Sequence, residues 1–219
     1  MNILCIGQVE DRAYIDEQIL KQTIQPTRTI LYVDENPAQG IEARRIRIAE
    51  NHKRLRDIVK AYNPDLVWQV EGDAELPENT LERLLGHYIR LQDKDFGYVS
   101  GVQVGRHGLY CLGAWEFYGR SRFDSIDHNK TGIQDIDATG FYCLLAPAKV
   151  WLSGVCSWDG QRYGPDVVWG LSISKNKYVD MDLHIGHKTS SGIIRPSDVS
   201  TCNVKFYMEN GQWIYKQLD

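Results

Sequence analysis

The chain has 219 residues, of which 42% are hydrophobic and 25% charged, and its formal net charge is −4 at pH 7. This length fits one domain with a substantial core, and the composition is that of an ordinary globular protein. The acidic net charge predicts no global affinity for nucleic acid or anionic membranes, although a local basic groove is compatible with it. Five scattered cysteines without CxxC spacing argue against a disulfide framework and a cysteine zinc site. We therefore expect a reducing, cytoplasmic compartment, and no segment approaches the length of a membrane span.

The first half of the chain alternates predicted strands and helices. Short apolar runs predict buried strands at 2–7, 29–33 and 66–70. Each run is followed by a stretch of helical periodicity, at 13–20, 41–62 and 77–88. The last of these has Pro77 at its expected first position, and its apolar residues recur at helical spacing. This alternation predicts right-handed βαβ units on a parallel sheet.

The second half changes character. Strand-like runs occur at 96–104, 109–118, 136–146 and 178–185, and two short helices are predicted to begin at Pro147 and Pro165. Residues 189–200 are polar and irregular, which predicts a loop. Asn210-Gly211 between two alternating runs is a strong hairpin signal. We therefore predict a single α/β domain over residues 1–219, with a mixed central sheet flanked by helices.

The third predicted strand ends in the sequence Glu71-Gly72-Asp73. Side chains alternate along an extended chain, so both carboxylates would point the same way if the strand ran that far. Two convergent carboxylates repel each other unless a cation lies beside them. Open α/β sheets bind ligands at the carboxyl ends of their strands. A divalent metal with a phosphorylated ligand is one interpretation, and a solvated loop between strand and helix is the other.

Three more residues that could bind a metal or a ligand lie at predicted strand ends or helix starts. Asp34 closes the second strand, Asp166 opens a helix, and His187 leaves a late strand after a glycine. Two of them have a plain alternative: Asp166 is also a normal first-turn helix acid, and His187 a normal turn histidine. His184 competes with His187 for any metal-binding role.

The order of these features resembles the GT-A glycosyltransferases, in particular the family-2-like inverting enzymes. The resemblance covers roughly residues 2 to 190. Its most specific parts are Thr139-Gly-Phe-Tyr-Cys-Leu-Leu-Ala-Pro-Ala-Lys149, Tyr163-Gly-Pro-Asp-Val-Val-Trp169 and Val179-Asp-Met-Asp-Leu-His-Ile-Gly-His187. It implies a GT-A fold with a Rossmann-like mixed sheet. Residues 1–95 would then be the nucleotide-sugar-binding half, 96–190 the acceptor and catalytic half, and 191–219 a C-terminal loop and hairpin.

The resemblance also implies roles for individual residues. Asp73 matches the metal-binding aspartate of an Asp-X-Asp motif, and Glu71 matches its first acid, which would contact the donor ribose or a metal-bound water. His187 matches the late metal ligand, Asp34 the aspartate that reads the nucleotide base, and Asp166 the catalytic base. Two departures matter: Glu71 replaces the commoner Asp, and a proline at 165 replaces the usual Glu before the base.

Further residues are candidates for the two substrates. Arg54 and Lys188 are expected to bind the donor, because an arginine or lysine can reach a diphosphate. Candidates for acceptor binding are Trp158, Tyr163, Thr139 and Gly140, although aromatic residues in such loops also serve local packing. The expected cofactor is Mn²⁺ or Mg²⁺, since oxygen ligands with one imidazole suit these ions. Asp166, near a helix N-terminus, is expected to stay ionised.

The predicted function is metal-dependent transfer of a sugar from a nucleotide-diphosphate sugar, with uridine the favoured nucleoside, to an acceptor hydroxyl with inversion. The acceptor is a saccharide, a small molecule or a hydroxylated DNA base. Two alternatives stay open. One is a nucleotidyltransferase of GT-A-like fold, although Gly7-Gln-Val-Glu-Asp11 is not the Gly-rich phosphate loop it would carry. The other is a non-catalytic relative that binds nucleotide sugars.

Overall fold

A computed structural model describes residues 1–34, 40–105, 110–119, 121–158, 160, 163–210 and 212–218. The elements of the first half are, in chain order, β1 (Ile3–Val9), α1 (Arg12–Leu20), β2 (Arg28–Val33), α2 (Ile41–Tyr62), β3 (Leu66–Glu71), β4 (Ala74–Glu75), α3 (Thr80–Leu91) and β5 (Phe96–Val102). Those of the second half are β6 (Ala114–Phe117), β7 (Arg122–Ser125), β8 (Ile133–Ile136), β9 (Ala138–Thr139), β10 (Cys143–Pro147), α4 (Ala148–Ser153), α5 (Pro165–Ser172), β11 (Asn176–His184), β12 (Gly186–Thr189), β13 (Gly192–Ile194), β14 (Asn203–Glu209) and β15 (Gln212–Leu218).

The central sheet has seven strands in the order β2-β1-β3-β10-β5-β11-β8. Strands β2, β1 and β3 are parallel, as are β5 and β11, whereas β10 runs antiparallel to both of its neighbours and β8 antiparallel to β11. The prediction of an α/β domain with a mixed central sheet flanked by helices is confirmed.

Helices cover both faces of this sheet. Successive side chains along each strand point to opposite faces, so one strand contributes to the hydrophobic cores on both sides. Along β3, Trp68 packs with apolar residues of α1 and α3, whereas the adjacent Val67 packs with those of α2, α4 and α5. Both side chains are fully buried. A strand buried on both faces is apolar without interruption, which is why 66–70 has the sequence of a central strand.

Three helix and strand boundaries show where the sequence pattern was informative and where it was not. Helix α2 has the predicted bounds. Helix α3 begins at Thr80, not at Pro77, because the Pro77 carbonyl oxygen accepts hydrogen bonds from the Thr80 backbone and hydroxyl in a turn before the helix. The run 136–146 is not one strand. It contributes to β8 and β10 of the central sheet and to β9 of another sheet, and each piece is buried, so hydrophobicity alone did not mark the breaks.

Two smaller sheets complete the domain. One is β13-β12-β4, so the prediction that 189–200 is wholly irregular was wrong: this stretch contains β13, and Arg195 forms hydrogen bonds of 2.5 and 2.6 Å with Glu75. The other has the order β15-β14-β7-β6-β9 and contains the predicted C-terminal hairpin. Glu209 lies opposite Gln212 across that hairpin.

Two remaining features are the state of the cysteines and the character of the helices. All five cysteines are free. Among the residues described, no helix combines the length and the apolar character that crossing a bilayer requires.

Candidate functional site

Asp73 and His187 meet at the carboxyl edge of the central sheet. Strand β3 ends at Glu71, and Gly72 and Asp73 form a turn, so strand alternation does not align the two carboxylates as the sequence suggested. The antiparallel pairing of β4 with β12 instead places His187 opposite Ala74. The His187 Nε2 atom consequently lies 3.6 Å from the Asp73 Oδ2 atom.

Gly72 is required for this turn. A Cβ atom at this position would lie 2.7 Å from the Cα of Val9, which is closer than two non-bonded carbon atoms can approach. The glycine between the two acids therefore lets the chain turn directly over the end of β1.

The surroundings of His187 set the orientation of its ring. The side chain is buried, and its Nδ1 lies 3.3 Å from the carbonyl oxygen of Val104, to which only a protonated Nδ1 can donate. In the neutral ring, Nε2 then carries a lone pair directed toward Asp73. The backbone amide of Lys188 donates to the Asp73 carbonyl oxygen at 2.8 Å and holds the two segments together. His184 lies upstream in β11, so of the two histidines it is His187 that the fold brings to Asp73.

This pair offers two ligand types that bind divalent cations, but two protein ligands are too few for a complete metal site. Within the described ranges, no group of three or more His, Cys, Asp or Glu side chains is arranged to hold a metal ion. One carboxylate and one imidazole with a backbone-oriented ring are nevertheless a recurring ligand combination. Mg²⁺ in particular binds through one or two protein carboxylates together with substrate phosphates. The residues fit an ion that is shared with a phosphorylated ligand, and they do not fit a structural metal cage.

Asp34, at the end of β2, is the centre of a polar network. Its side chain is only 3% exposed. It accepts hydrogen bonds from Gln8 Nε2 at 3.0 Å, Arg47 at 3.2 Å and Asn51 Nδ2 at 3.4 Å. Arg47 and Asn51 are one helical turn apart on α2, and Gln8 is on the neighbouring strand β1. Sequence reasoning missed Gln8 and Asn51; the four-residue spacing of Arg47 and Asn51 on a helix was the signal that could have found the latter.

Glu71 belongs to the same end of the sheet. It lies opposite Gln8 in the β1–β3 register, and its backbone amide donates to the Tyr142 carbonyl oxygen at 3.1 Å. Glu71, Gln8 and Gln69 line a small cavity of about 30 Å³. Glu71 therefore adjoins the Asp34 network through Gln8.

His52 also lines this cavity and was not predicted to matter. It is buried, with its ring centroid 5.2 Å from that of Phe141 and 4.5 Å from that of Trp151. Within the described part of the chain, neither of its ring nitrogens has a hydrogen-bond partner. Burial, helped by the positive charge of Arg56, lowers the His52 pKa from 6.5 to about 3. His52 is therefore a neutral component of the aromatic core beside the candidate site.

Asp166 lies in the first turn of α5, as predicted, and its pKa depends on burial as well as on the helix N-terminus. Burial raises its pKa above 3.8, although the Val167 amide and the charges of Arg45 and Arg44 act in the opposite direction. The helix N-terminus therefore favours the anion as expected, but desolvation outweighs it. Gly164 provides space for the carboxylate, since a Cβ there would lie 2.4 Å from Asp166 Oδ1.

The remaining donor candidates lie at different places. The guanidinium group of Arg54 contacts the hydroxyl of Tyr32 and lies over the same ring, at 5.0 Å from its centroid. The arginine of α2 that contacts Asp34 is instead Arg47. The Lys188 ammonium group lies 3.2 Å from Asp11 Oδ2 and 4.0 Å from the centre of the Tyr14 ring, beside the start of α1.

The acceptor candidates divide into two kinds. Trp158 lies beside α2, with the Arg45 guanidinium carbon 4.6 Å from its ring centroid, and Gly140 adjoins the Asp166 carboxylate. Thr139 is 1% exposed, and its hydroxyl lies 2.6 Å from that of Tyr142. Tyr163 packs edge-on against the rings of Phe117 and Phe123 in the β15-β14-β7-β6-β9 sheet. Trp158 and Gly140 are therefore near the Asp166 carboxylate or its charged neighbours, whereas Thr139 is hydrogen-bonded in the interior and Tyr163 packs against rings of the smaller sheet.

A chain of direct contacts connects the acid Asp166 to the end of β3. Asp166 lies against Gly140, a Cβ on Gly140 would meet the Tyr142 ring at 2.8 Å, and the Tyr142 carbonyl oxygen accepts from the Glu71 amide. The fold therefore gathers the base candidate, the strand-end acids and the Asp73–His187 pair on one edge of the central sheet, where open α/β sheets bind ligands.

Comparison with known proteins finds a structure of similar fold but assigns no function to this chain. No protein-family model matches the chain, and no curated protein matches its sequence. The structure is similar to the crystal structure of A197 from STIV, with a TM-score of 0.60 over 90% of this chain and 91% of that chain. The two sequences are 10% identical, so the likeness shows a shared fold and assigns no function.

Proposed function

We propose that the chain is a glycosyltransferase of GT-A type that moves a sugar from a nucleotide-diphosphate sugar, with uridine the favoured nucleoside, to an acceptor hydroxyl with inversion. The observation that carries the proposal is the Asp73–His187 pair, with Nε2 and Oδ2 separated by 3.6 Å at the ligand-binding edge of the sheet. Asp34 and Asp166 lie on the same edge, and the four residues occupy the chain order that the family resemblance implies.

The donor's nucleoside is assigned to the Asp34 network. Asp34 is an anionic hydrogen-bond acceptor whose position is held by Gln8, Arg47 and Asn51. A buried carboxylate of this kind can also accept from a ring N–H of the base, and a base without that donor would lose one charge-assisted hydrogen bond. Glu71, next to Gln8 in the register, is assigned to the ribose.

The diphosphate is assigned to the other side of the site. Asp73 and His187 would hold Mn²⁺ or Mg²⁺ there, and Lys188 lies on the adjoining strand β12. When bound, the ion supplies stabilisation of the negative charge that develops on the departing diphosphate. The protein's own contribution is orientation, because the Val104 carbonyl holds the His187 ring and the β4–β12 pairing holds both ligands.

Asp166 is assigned the role of general base. Its carboxylate accepts the proton of the acceptor hydroxyl while the oxygen attacks the anomeric carbon of the sugar. The bond from that carbon to the diphosphate oxygen breaks, and its electron pair leaves with the nucleoside diphosphate. A raised pKa makes Asp166 a stronger base than a solvated aspartate. The acceptor is a saccharide, a small molecule or a hydroxylated nucleic-acid base.

Thermal unfolding with a panel of nucleotide sugars, with and without Mn²⁺, tests the proposal. A ligand at a hundred times its Kd adds about 2.7 kcal/mol to the stability of the folded state. We expect one class of nucleotide sugar to raise the melting temperature in the presence of Mn²⁺, and Asp73→Ala to abolish the increase. Asp65→Ala, an exposed acid before β3, is the matched control.

The same preparation separates a catalyst from its alternatives. Release of free nucleoside diphosphate from the stabilising donor, in the presence of an acceptor mixture, supports glycosyl transfer. Donor binding without any release in the presence of saccharide, small-molecule and oligonucleotide acceptors supports a non-catalytic relative, and pyrophosphate release from a nucleoside triphosphate supports a nucleotidyltransferase.

A further inference from the structure

The β15-β14-β7-β6-β9 sheet carries a groove that the proposed glycosyl transfer does not use. Its volume is about 380 Å³, and its lining residues are Ser121, Arg122, Lys205, Tyr207, Met208 and Lys216. They belong to β7, β14 and β15 or directly precede β7. None of the residues assigned to the donor, the metal or the base lines this groove.

The groove concentrates positive charge on an acidic protein. Lys205 and Lys216 lie directly opposite each other on β14 and β15. Like charges at directly opposite positions of an antiparallel pair are destabilising. Neither lysine forms an ion pair with a carboxylate of the described residues. On its other side Lys205 lies opposite Asp124 in the β14–β7 register, and the Asp124 carboxylate accepts two hydrogen bonds from Arg122. An anionic ligand between the two lysines would remove their repulsion.

Aromatic rings alternate with these cations. Tyr207 lies opposite Arg122 in the β14–β7 register, and the Arg122 guanidinium carbon lies 4.4 Å from the centre of the Tyr118 ring. Along β14, Lys205 and Tyr207 share the groove face, whereas Phe206 between them stacks on Phe123 on the opposite face. The groove face therefore has two lysines beside an acid, Asp124, in one row and an arginine beside a phenol ring in the next row.

We propose that this groove binds single-stranded nucleic acid, with phosphates between Lys205 and Lys216 and a base on the Tyr207 ring. Cationic grooves that track a phosphate backbone, interleaved with aromatic rings on which bases stack, are the general chemistry of single-strand binding. A lipid surface fits poorly, because most of the described residues that line the groove are polar or charged. The proposal does not depend on glycosyl transfer, since the groove and the candidate active site share no residue.

Fluorescence anisotropy with a labelled fifteen-nucleotide oligothymidylate tests the proposal. We expect the wild-type protein to bind at low salt, with an affinity that falls with salt at a log–log slope of about −2, as for about three phosphate contacts to a single strand. Lys205→Ala combined with Lys216→Ala is expected to weaken binding about tenfold or more and to reduce the slope to about −0.7. Tyr207→Ala is expected to weaken binding about fivefold or more through lost stacking.

The control is Lys60→Ala combined with Lys149→Ala, which removes the same charge from exposed positions on α2 and α4. The proposal is wrong if the wild-type protein does not bind the oligonucleotide, or if the control pair loses as much affinity as the groove pair. It is equally wrong if polyglutamate of matched charge binds as tightly and is indifferent to Tyr207→Ala, because the groove would then be a site for acidic protein segments.

Discussion

The Nε2 atom of His187 lies 3.6 Å from the Oδ2 atom of Asp73, although the two residues are far apart in the sequence. The pairing of β4 with β12 creates this proximity, and the Val104 carbonyl orients the imidazole. Any metal that binds at the sheet edge through Asp73 should therefore also require His187.

His187→Ala is expected to abolish the Mn²⁺-dependent part of donor stabilisation, because one of the two protein ligands is lost. For a donor that binds only with the metal and is present at a hundred times its Kd, this is a loss of about 2.7 kcal/mol, measurable as a lower melting temperature. His184→Ala, three residues upstream, is expected to retain the metal effect. Equal losses in the two variants would contradict the assignment of His187.

Asp166→Asn is expected to lower kcat by a factor of about 100 to 10,000, the usual contribution of a general base, and to leave donor affinity unchanged. In the wild-type enzyme the base must be ionised, so kcat should rise as pH rises through the Asp166 pKa, which burial places above 3.8. The measurement is the pH profile of single-turnover rates. Asp135→Asn, an exposed acid in β8, should change neither the rate nor the profile.

Two arginines of α2 give a direct test of the donor site. Arg47→Ala is expected to weaken donor binding about tenfold, the cost of roughly 1.4 kcal/mol for losing a charge-assisted hydrogen bond that holds Asp34. Arg54→Ala removes a contact with Tyr32 and should change donor affinity less. Titration calorimetry measures both constants. A larger effect of Arg54→Ala would instead support the sequence-based prediction that Arg54 binds the donor diphosphate.

His52→Phe is expected to make stability less sensitive to acid. Above pH 6.5 His52 is neutral in both the folded and the unfolded chain, so its ionisation contributes nothing to the pH dependence there. As pH falls from 6.5 toward 3, the unfolded chain takes up a proton that the buried ring cannot accept, and the free energy of unfolding decreases.

The size of this effect follows from the displacement of the His52 pKa. Between pH 7 and pH 5 the wild-type protein should lose about 2 kcal/mol more than His52→Phe, at 1.36 kcal/mol per pKa unit. Urea unfolding at the two pH values measures the difference. His128→Gln, at an exposed position, should behave like the wild type; parallel pH profiles for wild type and His52→Phe would show that the ring is protonated in the folded state.

Local sequence was sufficient for much of the architecture. The bounds of α2 and the existence of the C-terminal hairpin follow from periodicity and from the Asn210-Gly211 turn signal, which depend on neighbouring residues only. The start of α5 at Pro165 was readable for the same reason. These features were predictable because main-chain preferences and the period of burial act over a few residues.

Predictions from local sequence were wrong or incomplete where packing between distant segments determines strand boundaries and burial. The apolar run 136–146 divides between two sheets, because burial against either gives the same hydrophobic sequence. The expectation that Glu71 and Asp73 would point the same way required β3 to continue past Glu71, and the chain turns there instead. For Asp166, the sequence shows the helix N-terminus that favours the anion but not the burial that raises the pKa.

The sequence by itself determined the fold class and the residue types available for chemistry at the strand ends. Only the tertiary structure decided which of them meet: His187 rather than His184 at Asp73, and Arg47 with Gln8 and Asn51 at Asp34. The physical reason is that secondary structure depends on neighbours in the chain, whereas a site depends on strand register and burial, which distant segments determine together.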